Sequence, residues 1–176
     1  MNREIYIRAV VKLGHEDPDF REVISPLEAR RMGRLLKRAL WCSAKALKEA
    51  GVAMPDAIIT ATDYGCMENS ESFLEGVLQM NDAPMRPVHF MQSTHNTISS
   101  VIAIHLGCHG YNATYSHTGA SLKSALNDAM MQLQLGDIET ALVGWYDERT
   151  PQMDLHRLPG AERALALVLS TKPCLD

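Results

Sequence analysis

Apolar residues recur along the chain in two periods, and the switches between them lay out alternating strands and helices. Residues 4–13, EIYIRAVVKL, have the β-branched enrichment of a strand, and GHEDPDF after them is a loop. Ser25-Pro26-Leu27-Glu28 is a helix start, with serine as N-cap, proline first in the helix and glutamate three after the cap. Met32, Leu35, Leu36, Ala39, Cys42, Ala46, Leu47 and Ala50 keep helical spacing until Gly51, which predicts one long first helix with a single buried stripe. The continuous apolar run in DAIITATDYG, 56–65, is that of a strand covered on both faces, and a short helix follows through Phe73, Leu74, Val77 and Leu78. Two prolines make NDAPMRPVHF, 81–90, a loop.

The second half of the chain continues the alternation. A helix from Thr94 to Leu106 has a broad apolar arc (Ile98, Val101, Ile102, Ile104, Leu106), which predicts burial against more than one neighbour, and Gly107 and Gly110 end it. Strand 112–117, helix 120–135 and strands 139–146 and 163–170 complete the order. It predicts an α/β fold: a five-stranded, mostly parallel sheet with helices on both faces and an antiparallel last strand. On helix 120–135 the residues Leu122, Ala125, Leu126, Ala129, Met130 and Leu133 share one arc, while Ser121, Lys123, Ser124, Asn127, Asp128, Gln132 and Gln134 fill the rest. Such a helix has one wet or polar-interface face.

With 176 residues, 46% of them hydrophobic, the chain has the size of a single folded domain, 1–176. A net charge of -4 without a long basic run argues against a nucleic-acid face or a membrane-surface patch. The dense basic cluster Arg30, Arg31, Arg34, Lys37 and Arg38 falls on the first helix and reads as its solvated face. Cys42, Cys66, Cys108 and Cys174 show no metal-ligand spacing, no apolar run is long enough for a bilayer, and the N-terminus has no signal-type apolar stretch. These point to a reduced, cytoplasmic protein.

Candidate chemistry narrows quickly. Neither G-x-G-x-x-G nor G-x-x-x-x-G-K-[ST] occurs, so no nucleotide cofactor is expected. His105 and His109 stand four apart, but Gly107 between them breaks the helix that would align them on a metal, and no metal site is expected. Gly119-Ala120-Ser121-Leu122-Lys123 carries the first glycine and the serine of a G-x-S-x-G elbow at a strand-to-helix turn. Lys123 is too bulky for the last position, and only His156 follows as a catalytic histidine, so a hydrolase is half matched.

At this corner a resemblance emerges. HNTISSVIAIHLGCHGYNATYSHTGASLKSALNDAMMQLQLGDIETALVGWYDE resembles the β-ketoacyl synthases, condensing enzymes in which an Asn-containing helix is followed by a G-x-x-G turn, a strand, a nucleophile corner and a G-G-x-E-like strand end. SPLEARRMGRLLKRALWCSAKALKEAG, ATDYGCMENSESFLEG and ERALALVLSTKP are similar to further elements of the same N-terminal half. The resemblance implies half of a thiolase fold, with the family's two histidines and lysine in the half that this sequence does not match. It also puts the acyl-accepting cysteine on Gly119, flanked by Thr118, Ala120 and Ser121, so the catalytic set is empty.

The resemblance further implies a dimer whose strands pair antiparallel through Asn112, Ala113, Thr114, Tyr115, Ser116 and His117, with His95 and Asn96 nearby. An unpaired apolar edge would otherwise be an aggregation liability. The function implied is a non-catalytic, chain-length-factor-like partner of an active β-ketoacyl-ACP synthase in bacterial fatty-acid or polyketide (aryl-polyene type) synthesis, without cofactor. Two alternatives stay open: a stand-alone homodimer that binds an acyl chain or acyl carrier protein, and a small thioester-handling enzyme using Cys66 or Cys108.

Overall fold

The computed structural model describes residues 3–78 and 87–173. Strands β1 (Tyr6–Lys12), β2 (Ala57–Ala61), β3 (Tyr111–Tyr115), β4 (Thr140–Asp147) and β5 (Arg163–Ser170) form one sheet in the order β1-β5-β4-β2-β3. β2 is parallel to β3 and β4, and β5 is antiparallel to β4 and β1. This is the mostly parallel sheet with an antiparallel last strand that the alternation predicts. β1 and β3 are its edges.

Every residue of β2 is buried, because the strand is central and covered from both sides. The pleat divides its side chains: Ile58 joins Leu36, Ala39, Ala46, Ile98, Ile102 and Tyr146 in one core, while Ala57, Ile59 and Ala61 join Ala125, Ala129, Leu133 and Val143 in the other. Helices α2 (Arg34–Ala50) and α5 (Thr97–Leu106) therefore cover one face, and α6 (Ser121–Leu135) covers the opposite one. Small residues on both partners let α6 lie close to the sheet. Among the described residues no helix is long and apolar enough to cross a membrane.

Several boundaries differ from the expectation. The predicted first helix is two: α1 (Pro26–Ala29), closed by the Ser25–Glu28 capping box, and α2, which begins after Gly33. Gly33 is extended at φ -63 and ψ 168, so it caps a new helix where the apolar stripe alone suggests continuity. The basic cluster is not a uniformly solvated face either. Arg38 is 1% exposed, paired with Asp17 and the Gly14 carbonyl, while Arg34 pairs with Asp17 and Glu162.

After α3 (Met67–Leu78), the last part of the predicted loop 81–90 turns into α4 (Pro87–Gln92), with proline at the helical start that it tolerates best. Residues 81–86 of that loop, and Cys174, lie outside the described residues. The arc of α5 is only partly used: Ile98 and Ile102 are buried, whereas Ile104 is 80% exposed. On α6 the predicted arc is rotated, with Met130 half-exposed and Ser121 and Asp128 buried. Asp128 is turned inward because it accepts from Tyr111 Oη at 3.1 Å. A short α7 (Pro151–Leu155), capped by Thr150, was not foreseen from the periodicity.

Candidate functional site

In open α/β sheets, sites form beyond the carboxyl ends of the parallel strands, and the corner around Gly119 lies there. The chain leaves β3 at Tyr115, passes Ser116, His117 and Thr118, and enters α6 at Ser121. Gly119 sits at φ +75, a left-handed conformation that side chains rarely adopt, and among the described residues no atom beyond its chain neighbours lies within 4 Å of where its Cβ would stand. The position needs glycine for its backbone angle and not for space. Gly119→Ala should therefore cost about 1 kcal/mol in unfolding free energy; a loss several times larger would show that the corner is packed and not open.

The corner is tied to the sheet by a charged network. The Ser121 hydroxyl accepts from the His117 N–H at 2.9 Å and reaches the Asp63 carboxylate and the His117 carbonyl. Asp147, at the end of β4, accepts from the Thr62 hydroxyl and the Asp63 N–H at 2.8 Å, and from the Tyr64 N–H at 3.1 Å. Arg163, opening β5, lies 3.5 Å from Asp147 and 3.7 Å from Asp63, with its guanidinium 4.2 Å from the centre of the Trp145 ring. Burial pushes the Asp147 carboxyl up, against the pull of the hydrogen bonds it accepts.

Beside it, Glu148 accepts from the N–H of Glu68 at 2.9 Å in the first turn of α3. Burial raises its carboxyl to about 7, with Glu68 and Glu71 pushing the same way and the Glu68 N–H and Arg34 opposing. None of Asp63, Asp147, Glu148 or Arg163 stood out in the sequence. For the acidic residues the signal was their place at the carboxyl end of each predicted central strand, in DYG and in DE, the latter within the family-like GWYDE.

The predicted site residues separate. Thr118, Gly119 and Ala120 form the exposed corner, while Ser121 is 1% exposed and hydrogen-bonded to Asp63 and the His117 backbone, with no histidine ring as partner. It is a structural serine, which removes the hydrolase elbow. Asn112, Ala113, Thr114 and Tyr115 do lie on an edge strand, followed by Ser116 and His117, and Asn96 precedes α5. Asn112 donates to the Ser99 carbonyl at 3.2 Å, and Thr114 joins Thr60 and Ser99 in a chain of hydroxyls.

Of the two alternative thiols, Cys66 is buried, and burial pushes it up to about 12, leaving it protonated at neutral pH. Cys66 therefore lacks the electropositive, exposed setting of a nucleophilic thiolate. Cys108 sits after α5 with its sulfur 3.4 Å from the Pro55 carbonyl. Gly107 does break the line between His105, which lies 3.4 Å from Glu28, and His109. Among the described residues no group of three His, Cys, Asp or Glu could hold a metal ion.

A family model described as β-ketoacyl synthase, N-terminal domain, matches residues 8–165. No curated protein matches the chain significantly. Among solved structures, a ketosynthase in complex with its chain length factor from Xenorhabdus doucetiae is similar at 20% identity and a TM-score of 0.71, over 84% of this chain and 61% of that one. The ishigamide ketosynthase/chain length factor is similar at 22% and 0.74, over 86% and 47%. A type II polyketide synthase acyl-carrier protein in complex with its ketosynthase bound to the hexaketide gives 14% and 0.83, over 97% and 64%. At these identities the likeness is one of fold, the thiolase-like fold of ketosynthases, and the chain spans less than two thirds of each of these structures.

Proposed function

We propose a non-condensing, chain-length-factor-like role for this chain, which belongs to the β-ketoacyl synthase family through its N-terminal domain. The observation that carries the reading is Gly119. The resemblance puts the acyl-accepting cysteine there, and a glycine has no side chain with which to form a thioester. The backbone corner persists without its nucleophile, which suits a subunit that shapes a partner's site. The partner would be an active β-ketoacyl-ACP synthase of bacterial fatty-acid or polyketide (aryl-polyene type) synthesis, with its acyl carrier protein. Similar structures that pair a ketosynthase with a chain length factor, or with an acyl-carrier protein, support this choice.

Pairing would run along β3. Successive peptide groups of a strand point to opposite edges. The Tyr111 N–H bonds to Asp56 and the Tyr115 carbonyl to Thr62, so the peptide groups of Asn112 and Thr114 face the free edge. Co-expression with a full-length synthase should give a complex that purifies together. Asn112→Pro, which removes one outward N–H, should break that complex, and Asn112→Ala should spare it. A homodimer indifferent to any synthase, measured by light scattering, would sink the reading.

A second reading, an acyl-binding homodimer, is favoured by a groove of about 400 Å³ between α3 and α7, lined by Met67, Leu74, Leu78, Met153 and Leu158. Native mass spectrometry decides it by whether lipid travels with the purified protein.

A further inference from the structure

We propose that His117 and Ser124 form a dyad that accepts an acyl group from a thioester onto the serine oxygen. His117 follows β3, Ser124 stands in the first turn of α6, and the Thr118–Ala120 corner folds one onto the other, leaving imidazole Nδ1 2.9 Å from Ser124 Oγ. A helical serine commonly turns its hydroxyl back to the carbonyl four residues earlier. Here its sole hydrogen-bond partner among the described residues is the imidazole. Ser121, three residues earlier, is buried and committed to Asp63, whereas Ser124 is half-buried and reachable.

The surroundings suit nucleophilic attack. With its proton on Nε2, the imidazole can take the hydroxyl proton at Nδ1, the relation a general base needs to its nucleophile. The Tyr115 ring lies tilted against the imidazole with centroids 6.2 Å apart. Among the described residues no side chain caps α6, which leaves the leading N–H groups of the turn that holds Ser124 without a side-chain partner near a developing oxyanion. Gly119 places no side chain in the approach.

The step balances without a further reagent. Ser124 Oγ attacks the carbonyl carbon as its proton passes to His117 Nδ1. The carbon–sulfur bond then breaks, the thiolate takes the proton from His117, and a serine ester and a free thiol remain. The chain would thus hold an acyl group five residues beyond the position where a condensing enzyme's cysteine would, without condensing it.

The full chain is incubated with hexanoyl-CoA and, separately, with a fluorophosphonate probe. Both should add one mass increment on the peptide containing Ser124. Ser124→Ala should abolish both adducts and His117→Gln should slow them by about 100-fold, at unchanged unfolding midpoints, while Ser124→Cys should retain the hexanoyl adduct. An adduct on Lys123 or a cysteine, a rate indifferent to His117, labelling by the fluorophosphonate alone, or no adduct at all overturns the proposal. It rests on the reading above only for the choice of a thioester. Ser124→Ala should leave co-purification with a synthase intact, so the two can fail separately.

Discussion

Asp147→Ala is expected to destabilise the protein by about 3–5 kcal/mol, the range for stripping a buried charge from its partners. Asp147 is 1% exposed and gathers the Thr62 hydroxyl and two backbone N–H groups, with Arg163 beyond. Alanine leaves the Thr62 hydroxyl and the Asp63 and Tyr64 N–H groups without this acceptor, each at the cost of an unmade hydrogen bond, while Arg163 keeps Asp63. Asp147→Asn keeps one acceptor oxygen and should lose roughly half as much. Urea unfolding with an unchanged denaturant slope measures both. A loss under about 1 kcal/mol for the alanine variant would mean that water replaces the carboxylate and that the network does not organise the strand ends.

The network's reach gives that loss a local signature. Asp147 fixes the turn after β2, and Asp63 in that turn meets Ser121 at the start of α6. Loosening one end of the chain should therefore loosen the Gly119 corner before it unfolds the sheet. Hydrogen exchange at residues 117–122 should rise in Asp147→Asn while β2 and β4 stay protected.

What the sequence disclosed follows from how each feature is encoded. β2 and most of β4 were legible because a strand buried on both faces must be apolar, and Gly51, Gly107 and Gly136 all close helices in the left-handed conformation that favours glycine. The break before Gly33 was hidden because Met32 continues the helical stripe across it. Arg38 looked solvated because its partners, Asp17 and Gly14, lie in a loop whose path over α2 leaves no periodic trace. The corner itself was visible as a strand-to-helix turn with glycine. Its supports were not, since Asp63, Asp147 and Arg163 meet only through the strand order β5-β4-β2, which no local pattern specifies.

The same strand order brings Glu148 against α3, and its titration should dominate stability between pH 5 and 7.5. Its folded value of about 7 stands above the ordinary glutamate value of 4.5, so within that window the folded state holds a proton that the unfolded state has released. Stability from this group is fully present below the unfolded value and is lost as pH rises through about 7. A shift of that size corresponds to about 3 kcal/mol. The depressed carboxyls act elsewhere: Asp17, paired with Arg34 and Arg38, and Asp56, held by Glu139 and Thr140, lose their contribution only as pH falls below the ordinary carboxylate range. Glu148→Gln keeps an oxygen for the Glu68 N–H without a charge to desolvate. It should flatten the profile from pH 5 to 7.5 and make the variant the more stable protein at pH 8. A wild-type profile that is already flat, or a variant that loses stability at pH 8, would mean that Glu148 is ionised and well solvated in the native protein.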